Sequence, residues 1–72
     1  MDIKKTFANN LRFYRVQMKL TQKEIAAKLG VVREQYSKYE RGLIELDYYK
    51  LIEVCKILDI TPNDLFDGCF NN

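Results

Sequence analysis

The stretch Leu20–Gly42, LTQKEIAAKLGVVREQYSKYERG, holds two helix-sized patterns with almost nothing between them. Thr21 to Leu29 reads as one helix and Arg33 to Tyr39 as another, separated only by Gly30, Val31 and Val32. So short a tether predicts a pair that crosses steeply rather than lying side by side. The first member has a strong start. Thr21 and Glu24 form a capping box, and Leu20 and Ile25 flank it as a hydrophobic staple. Ile25, Ala26 and Leu29 face inward, and the two alanines, Ala26 and Ala27, let another helix approach closely. Gly30 ends the helix where a left-handed residue is needed. The second member buries Tyr36 and Tyr39, with Val32 packing at its start and Gly42 ending it. Its outer face carries Arg33, Glu34, Ser37 and Lys38, with Gln35 at the margin.

Working outward, Phe7, Leu11, Tyr14 and Met18 recur at helical spacing and predict an apolar stripe on an earlier helix. The opposite face of that helix carries Lys5, Arg12 and Lys19. Downstream, Asp47 caps a helix running to about Leu58 with Leu51, Ile52, Cys55 and Leu58 inside. ITPNDLF repeats the start grammar, with Thr61 as cap, Pro62 in the first helical position, Asp64 in the first turn, and Ile60 stapled to Leu65. The predicted architecture is all-α: five short helices, no strand, one domain over residues 1–72, with a central helix-turn-helix at 21–39.

The 72 residues are 47% hydrophobic, which suits a folded domain and argues against disorder. No apolar run approaches the ~20 residues needed to cross a bilayer. The opening MDIKKTFANN has no apolar core of a secretory signal, so the expected compartment is the cytoplasm. Cys55 and Cys69 are the only cysteines and histidine is absent. That pattern offers neither a zinc site nor a redox motif, so no metal or cofactor is expected. Cys55 is read as a small core residue and Cys69 as a surface position in a short tail. Without histidine, a metal cluster or a phosphate-cradling glycine loop, no catalytic constellation assembles, and the chain is not read as an enzyme.

The net charge of +2 hides a division. Residues 1–41 carry ten basic side chains against four acidic ones; residues 42–72 carry two against six. A basic half joined to an acidic half suggests that one face meets a polyanion while the other turns away. The plainer reading, uneven solvated charge, stays open on composition alone.

Two helices on a tight Gly-containing turn, the second polar on its outside, make the helix-turn-helix pattern. TQKEIAAKLGVVREQYSKYERG also resembles the T-Q-x-x-[LI]-A-x-x-[LI]-G-V-x-x-x-x-[aromatic or aliphatic]-S-x-[YW]-E-x-G signature of the Xre family, which includes phage repressor and Cro proteins. LRFYR resembles that family's I-R-x-L-R on the first helix. LIEVCKILDITPNDLF resembles its L-x-K-I-A-K-A-L-G-V-S-x-D-x-L. The match is gap-free from about Leu11 to Phe66.

The resemblance implies that the second helix of the pair enters the major groove of double-stranded DNA while the first braces it across the backbone. By position, it puts Arg33, Glu34 and Lys38 at base edges and Gln22 near the backbone and first base. Ser37 and Arg41 fall near phosphates, and Gln35, Lys23 and Thr21 complete the backbone set. Arg33 has the fork that fits guanine O6 and N7, and Lys38 donates to the same edge. Gln22 lies in a first helical turn, whose free N–H groups attract phosphate oxygens. Glu34 has two readings: it accepts from a cytosine amino group, or it pairs with Lys38 at i,i+4. Lys23 and Lys28 read as solvated charges or loose phosphate contacts. Arg15 and Glu40 match a buried pair that clamps the first helix to the end of the third.

Three positions depart from the family pattern. Val32 replaces the usual Ser or Thr cap, GLIEL follows the third helix where basic residues and proline are common, and Tyr36 is larger than the usual Ile or Val. Leu43, Ile44 and Glu45 therefore supply no phosphate contacts. The expected function is a sequence-specific transcriptional regulator, a repressor binding a palindromic operator as a homodimer. The expected dimer surface includes Leu65, Phe66 and Phe70, with Leu43 or Ile44. No small-molecule effector is evident, and the resemblance puts the protein at a bacterial or phage nucleoid. The alternatives are an antitoxin that regulates its own two-gene module, and a protein-interaction module that keeps the fold without binding DNA.

Overall fold

In a computed structural model that describes residues 2–70, the described chain forms five helices and no strand. They are α1 (Ile3–Gln17), α2 (Gln22–Leu29), α3 (Arg33–Glu40), α4 (Tyr48–Leu58) and α5 (Pro62–Leu65). Each start has a visible cause. The Asp2 side chain accepts from the Lys5 N–H, and the Asp47 side chain from the Lys50 N–H, so two helices begin on carboxylate caps. At α2 the capping box is complete: Glu24 N–H donates to Thr21 Oγ1 at 3.0 Å, and Thr21 N–H donates to Glu24 Oε1 at 2.8 Å. At α5 the Asp64 carboxylate accepts from the Thr61 N–H at 2.9 Å and from its hydroxyl at 3.2 Å, around Pro62 in the first helical position.

The ends are equally determined. Gly30 closes α2 at φ 75°, with Val31 N–H reaching back to the Ala26 carbonyl. Gly42 has φ 70°, and a Cβ there would sit 3.3 Å from the Lys4 carbonyl oxygen, so the chain leaving α3 presses against the start of α1. Lys19 and Asp59 adopt the same left-handed conformation without being glycine, and each turns the chain out of its helix.

Leu11, Ile25, Tyr36, Val54 and Leu65 are fully buried, one from each helix, and they define the core. Burying each such side chain stabilises the fold by ~1.5–3 kcal/mol. Phe7 and Phe66 meet at 5.0 Å between ring centroids and tie α1 to the end of α5. The Asn10 amide donates to the Leu65 and Asp67 carbonyls, both at 2.8 Å, satisfying groups that a four-residue helix leaves open.

Several expectations need correction. Met18 lies just past the end of α1 and is exposed, and Ala8 takes the buried position on that helix. Ile52 is 49% exposed, while Val54 is inside. Of the paired alanines, only Ala26 is buried. Cys69 is buried, near the Ile3 carbonyl, and both cysteines are free thiols. Leu65 is wholly inside the core and cannot belong to a subunit interface. Val32 does not pack at the start of α3: its side chain is 70% exposed, and Val31 turns inward instead.

Candidate nucleic-acid interface

Helix α3 is anchored by one face and free on the other. Tyr36, Tyr39 and Glu40 are buried, and the two tyrosines pack edge-on with centroids 6.1 Å apart. Arg33, Glu34, Gln35, Lys38 and Arg41 are exposed and Ser37 is half-buried. Arg33, Glu34 and Lys38, which the family resemblance puts at base edges, therefore share one solvent-facing side. Gln35 is partly committed, because its amide donates to the Tyr39 hydroxyl at 2.8 Å.

The anchor is built on Glu40. Its carboxylate accepts from Arg15 Nε at 2.6 Å and Arg15 Nη2 at 3.1 Å, a bidentate pair with side chains 12% and 3% exposed. The same carboxylate accepts from the Tyr36 hydroxyl at 2.5 Å and the Gln22 amide at 3.0 Å. Arg15 Nη1 also donates to the Leu20 carbonyl at 2.7 Å. Among the described residues no buried side-chain polar atom lacks a partner. That completeness is what makes a buried charge tolerable. Burial is the largest single influence on Glu40 and raises its pKa. The hydrogen bonds from Arg15, Tyr36 and Gln22 together outweigh it, so the carboxyl titrates below the usual range. Burial, followed by the neighbouring Glu40, raises the Tyr36 phenol well above its ordinary value.

From this centre a chain of hydrogen bonds runs to the surface. Glu40 can only accept and a guanidinium can only donate, so the Gln22 amide between them has one permitted orientation. Its nitrogen faces Glu40, and its oxygen accepts from Arg33 Nη1 at 3.3 Å. Gln22, expected near the backbone and first base, is half-buried and already holds Arg33. Sequence reading missed this link and did not identify Glu40 as the partner that the Tyr36 hydroxyl requires. Tyr in place of the usual aliphatic residue was the available signal for the second.

The remaining expected residues fall around this face. Thr21 and Lys23 are exposed at the start of α2, with the Thr21 hydroxyl already serving as the cap. Glu34 and Lys38 form no ion pair among the described residues, so the carboxylate stands free beside Arg33. On the acidic side, Leu43, Ile44 and Phe70 are exposed and Phe66 is half-buried. Ile44 and Phe66 line an apolar groove of about 230 Å³, together with Ile3, Phe7 and Leu46. The exposed Lys4–Glu45 pair at 3.6 Å sits at this groove.

This anchored helix pair with a free polar face belongs to a known class. The chain is a member of the helix-turn-helix family of the Xre, Cro and C1 type, whose model matches residues 11–65. That family consists of DNA-binding transcriptional regulators rather than enzymes. An uncharacterised HTH-type transcriptional regulator of Bacillus subtilis strain 168, YqaE, is 45% identical over 62 residues, covering 86% of this chain and 53% of that protein. The chain thus spans about half the length of that relative. A second uncharacterised HTH-type transcriptional regulator, MJ0272 of Methanocaldococcus jannaschii, is 31% identical over 58 residues, covering 81% of this chain and 88% of that protein.

Solved structures agree on the fold. The clp gene regulator ClgR of Corynebacterium glutamicum superposes with a TM-score of 0.84 at 26% identity, covering 90% of this chain and 83% of that one. The SOS-response transcriptional repressor LexA of Eubacterium rectale superposes with a TM-score of 0.86 at 26% identity, covering all of this chain and 78% of that one.

Proposed function

We propose that this chain binds double-stranded DNA sequence-specifically, as a homodimer on a palindromic operator, and represses transcription there from the cytoplasmic nucleoid. One observation carries the reading: the outer face of α3 presents Arg33, Glu34 and Lys38 together, while Tyr36, Tyr39 and Glu40 fix its inner face. A rigid short helix with three polar readers spans about three to four base pairs in a major groove. Ser37, Arg41, Lys23 and the first turn of α2 then meet phosphates on either side. The second copy docks at the apolar groove through Phe66 and Ile44, together with the exposed Phe70 and Leu43. Two recognition helices about 34 Å apart read half-sites one turn apart.

The test is selection of bound sites from a random duplex library, followed by a salt titration on the selected site. A DNA regulator enriches one motif and loses affinity with a log–log slope of about −0.9 per phosphate contacted. A flat library with no salt dependence would instead favour a protein-interaction module.

A further inference from the structure

Val32 is an exposed branched aliphatic side chain at the mouth of the helix expected to enter DNA, where the usual residue is a polar cap. It occupies the N-cap of α3 with φ −76° and ψ 152°, and no side-chain hydrogen bond caps the helix. A Ser or Thr there would stabilise the helix start, so Val32 forgoes a local benefit. Nor does it serve the core, being 70% exposed. In extended backbone successive side chains point opposite ways. Val31 packs on the core, which turns Val32 outward beside Arg33. The N-terminal residues of a recognition helix are the ones that reach base edges. Isolated exposed apolar residues are ordinary on protein surfaces, but this one directly precedes Arg33, whose guanidinium donates to Gln22.

We infer that Val32 reads the 5-methyl group of a thymine next to the base pair contacted by Arg33. In the major groove thymine alone among the four bases presents a methyl to the protein, and apolar contact is the means of recognising it. Val32 is thus a specificity-determining residue, adding an apolar reader to the polar set. The inference rests on the proposed DNA-binding function and extends it by one base pair.

The experiment takes the operator selected by the wild-type chain and replaces its thymines one at a time with deoxyuridine, which keeps base pairing and removes only the methyl. Wild type should lose about fourfold in affinity at one thymine per half-site, the effect of withdrawing roughly one methyl from apolar contact. Val32→Ala should bind the thymine operator about fourfold more weakly than wild type and be indifferent to deoxyuridine at that position. Val32→Ser separates recognition from folding: it supplies the missing cap, so its Tm should rise, while its thymine preference should still be lost. Val32→Thr keeps one methyl and should keep the preference. If Val32→Ala and Val32→Ser show the same deoxyuridine sensitivity as wild type, the inference is wrong while the DNA-binding reading stands. If the library yields no motif at all, both fall together.

Discussion

Glu40 is the residue that anchors α3, because four donors converge on its two oxygens and three of them come from other helices. Removing one partner of such a buried pair leaves an uncompensated charge, so Arg15→Ala should destabilise the fold by about 3–5 kcal/mol. Tyr36→Phe keeps the packing and loses one charge-assisted hydrogen bond, and should destabilise by a smaller ~1.5–3 kcal/mol. Chemical unfolding of the two variants checks the order, and a Tyr36→Phe loss equal to that of Arg15→Ala would contradict it. Neither variant should alter which base pairs are preferred. Acid gives a second test at this residue. Glu40 binds its proton more weakly folded than unfolded. Its contribution is therefore full above the unfolded value and is lost as pH falls through the folded one, beginning near pH 4. Glu24 and Asp47, lowered by their cap hydrogen bonds to Thr21 and Lys50, act in the same direction. Glu40→Gln should melt lower at neutral pH but show a shallower acid decline than wild type. Parallel Tm-against-pH curves for the two proteins would remove Glu40 from the acid response.

Among the elements, α2 positions α3, and the capping box begins it. Thr21→Ala should destabilise by about 1 kcal/mol in thermal melts; an unchanged Tm would mean that the α2 start is held by packing alone. Helices α2 to α5 were legible in the chain to within a residue or two, because the caps, Gly30, Gly42 and Pro62 are local signals whose chemistry acts within one turn. The start of α1 at Asp2 and the left-handed Lys19 and Asp59 were not legible, since no glycine marks those turns and tertiary packing selects the conformation. Burial was readable where a stripe was unambiguous, as at Leu11, Ile25 and Tyr36. It failed at Val32, Ile52 and Cys69, whose surroundings are set by helices distant in sequence. The same holds for the site. Arg33, Glu34 and Lys38 shared a face by helical period alone, whereas the Gln22 bridge between Glu40 and Arg33 depends on the packing of α2 against α3 and left no local trace.

For the whole molecule, formal charge is divided along the chain, with the basic excess in residues 1–41 and the acidic excess in residues 42–72. On the proposed reading, DNA meets the outer face of α3 and a second copy meets the groove at Ile44 and Phe66, whose lining also draws Ile3, Lys4, Phe7 and Tyr39 from the basic half. Sedimentation should show a dimer on operator DNA, and Phe70→Asp, which places a charge at an exposed aromatic, should shift free protein and complex toward monomer without lowering Tm. A wild-type monomer both free and on DNA would remove the dimer.

The central claim is that α3 reads bases through a side chain held ready by the core. It is tested most directly by the affinity of Arg33→Ala for the selected operator and for random duplex, measured side by side at one salt concentration. The expected result is a loss of about 1–3 kcal/mol on the operator, a relaxed preference at a single base pair, and a much smaller loss on random duplex. Equal weakening on both duplexes would make Arg33 a phosphate contact and contradict the account.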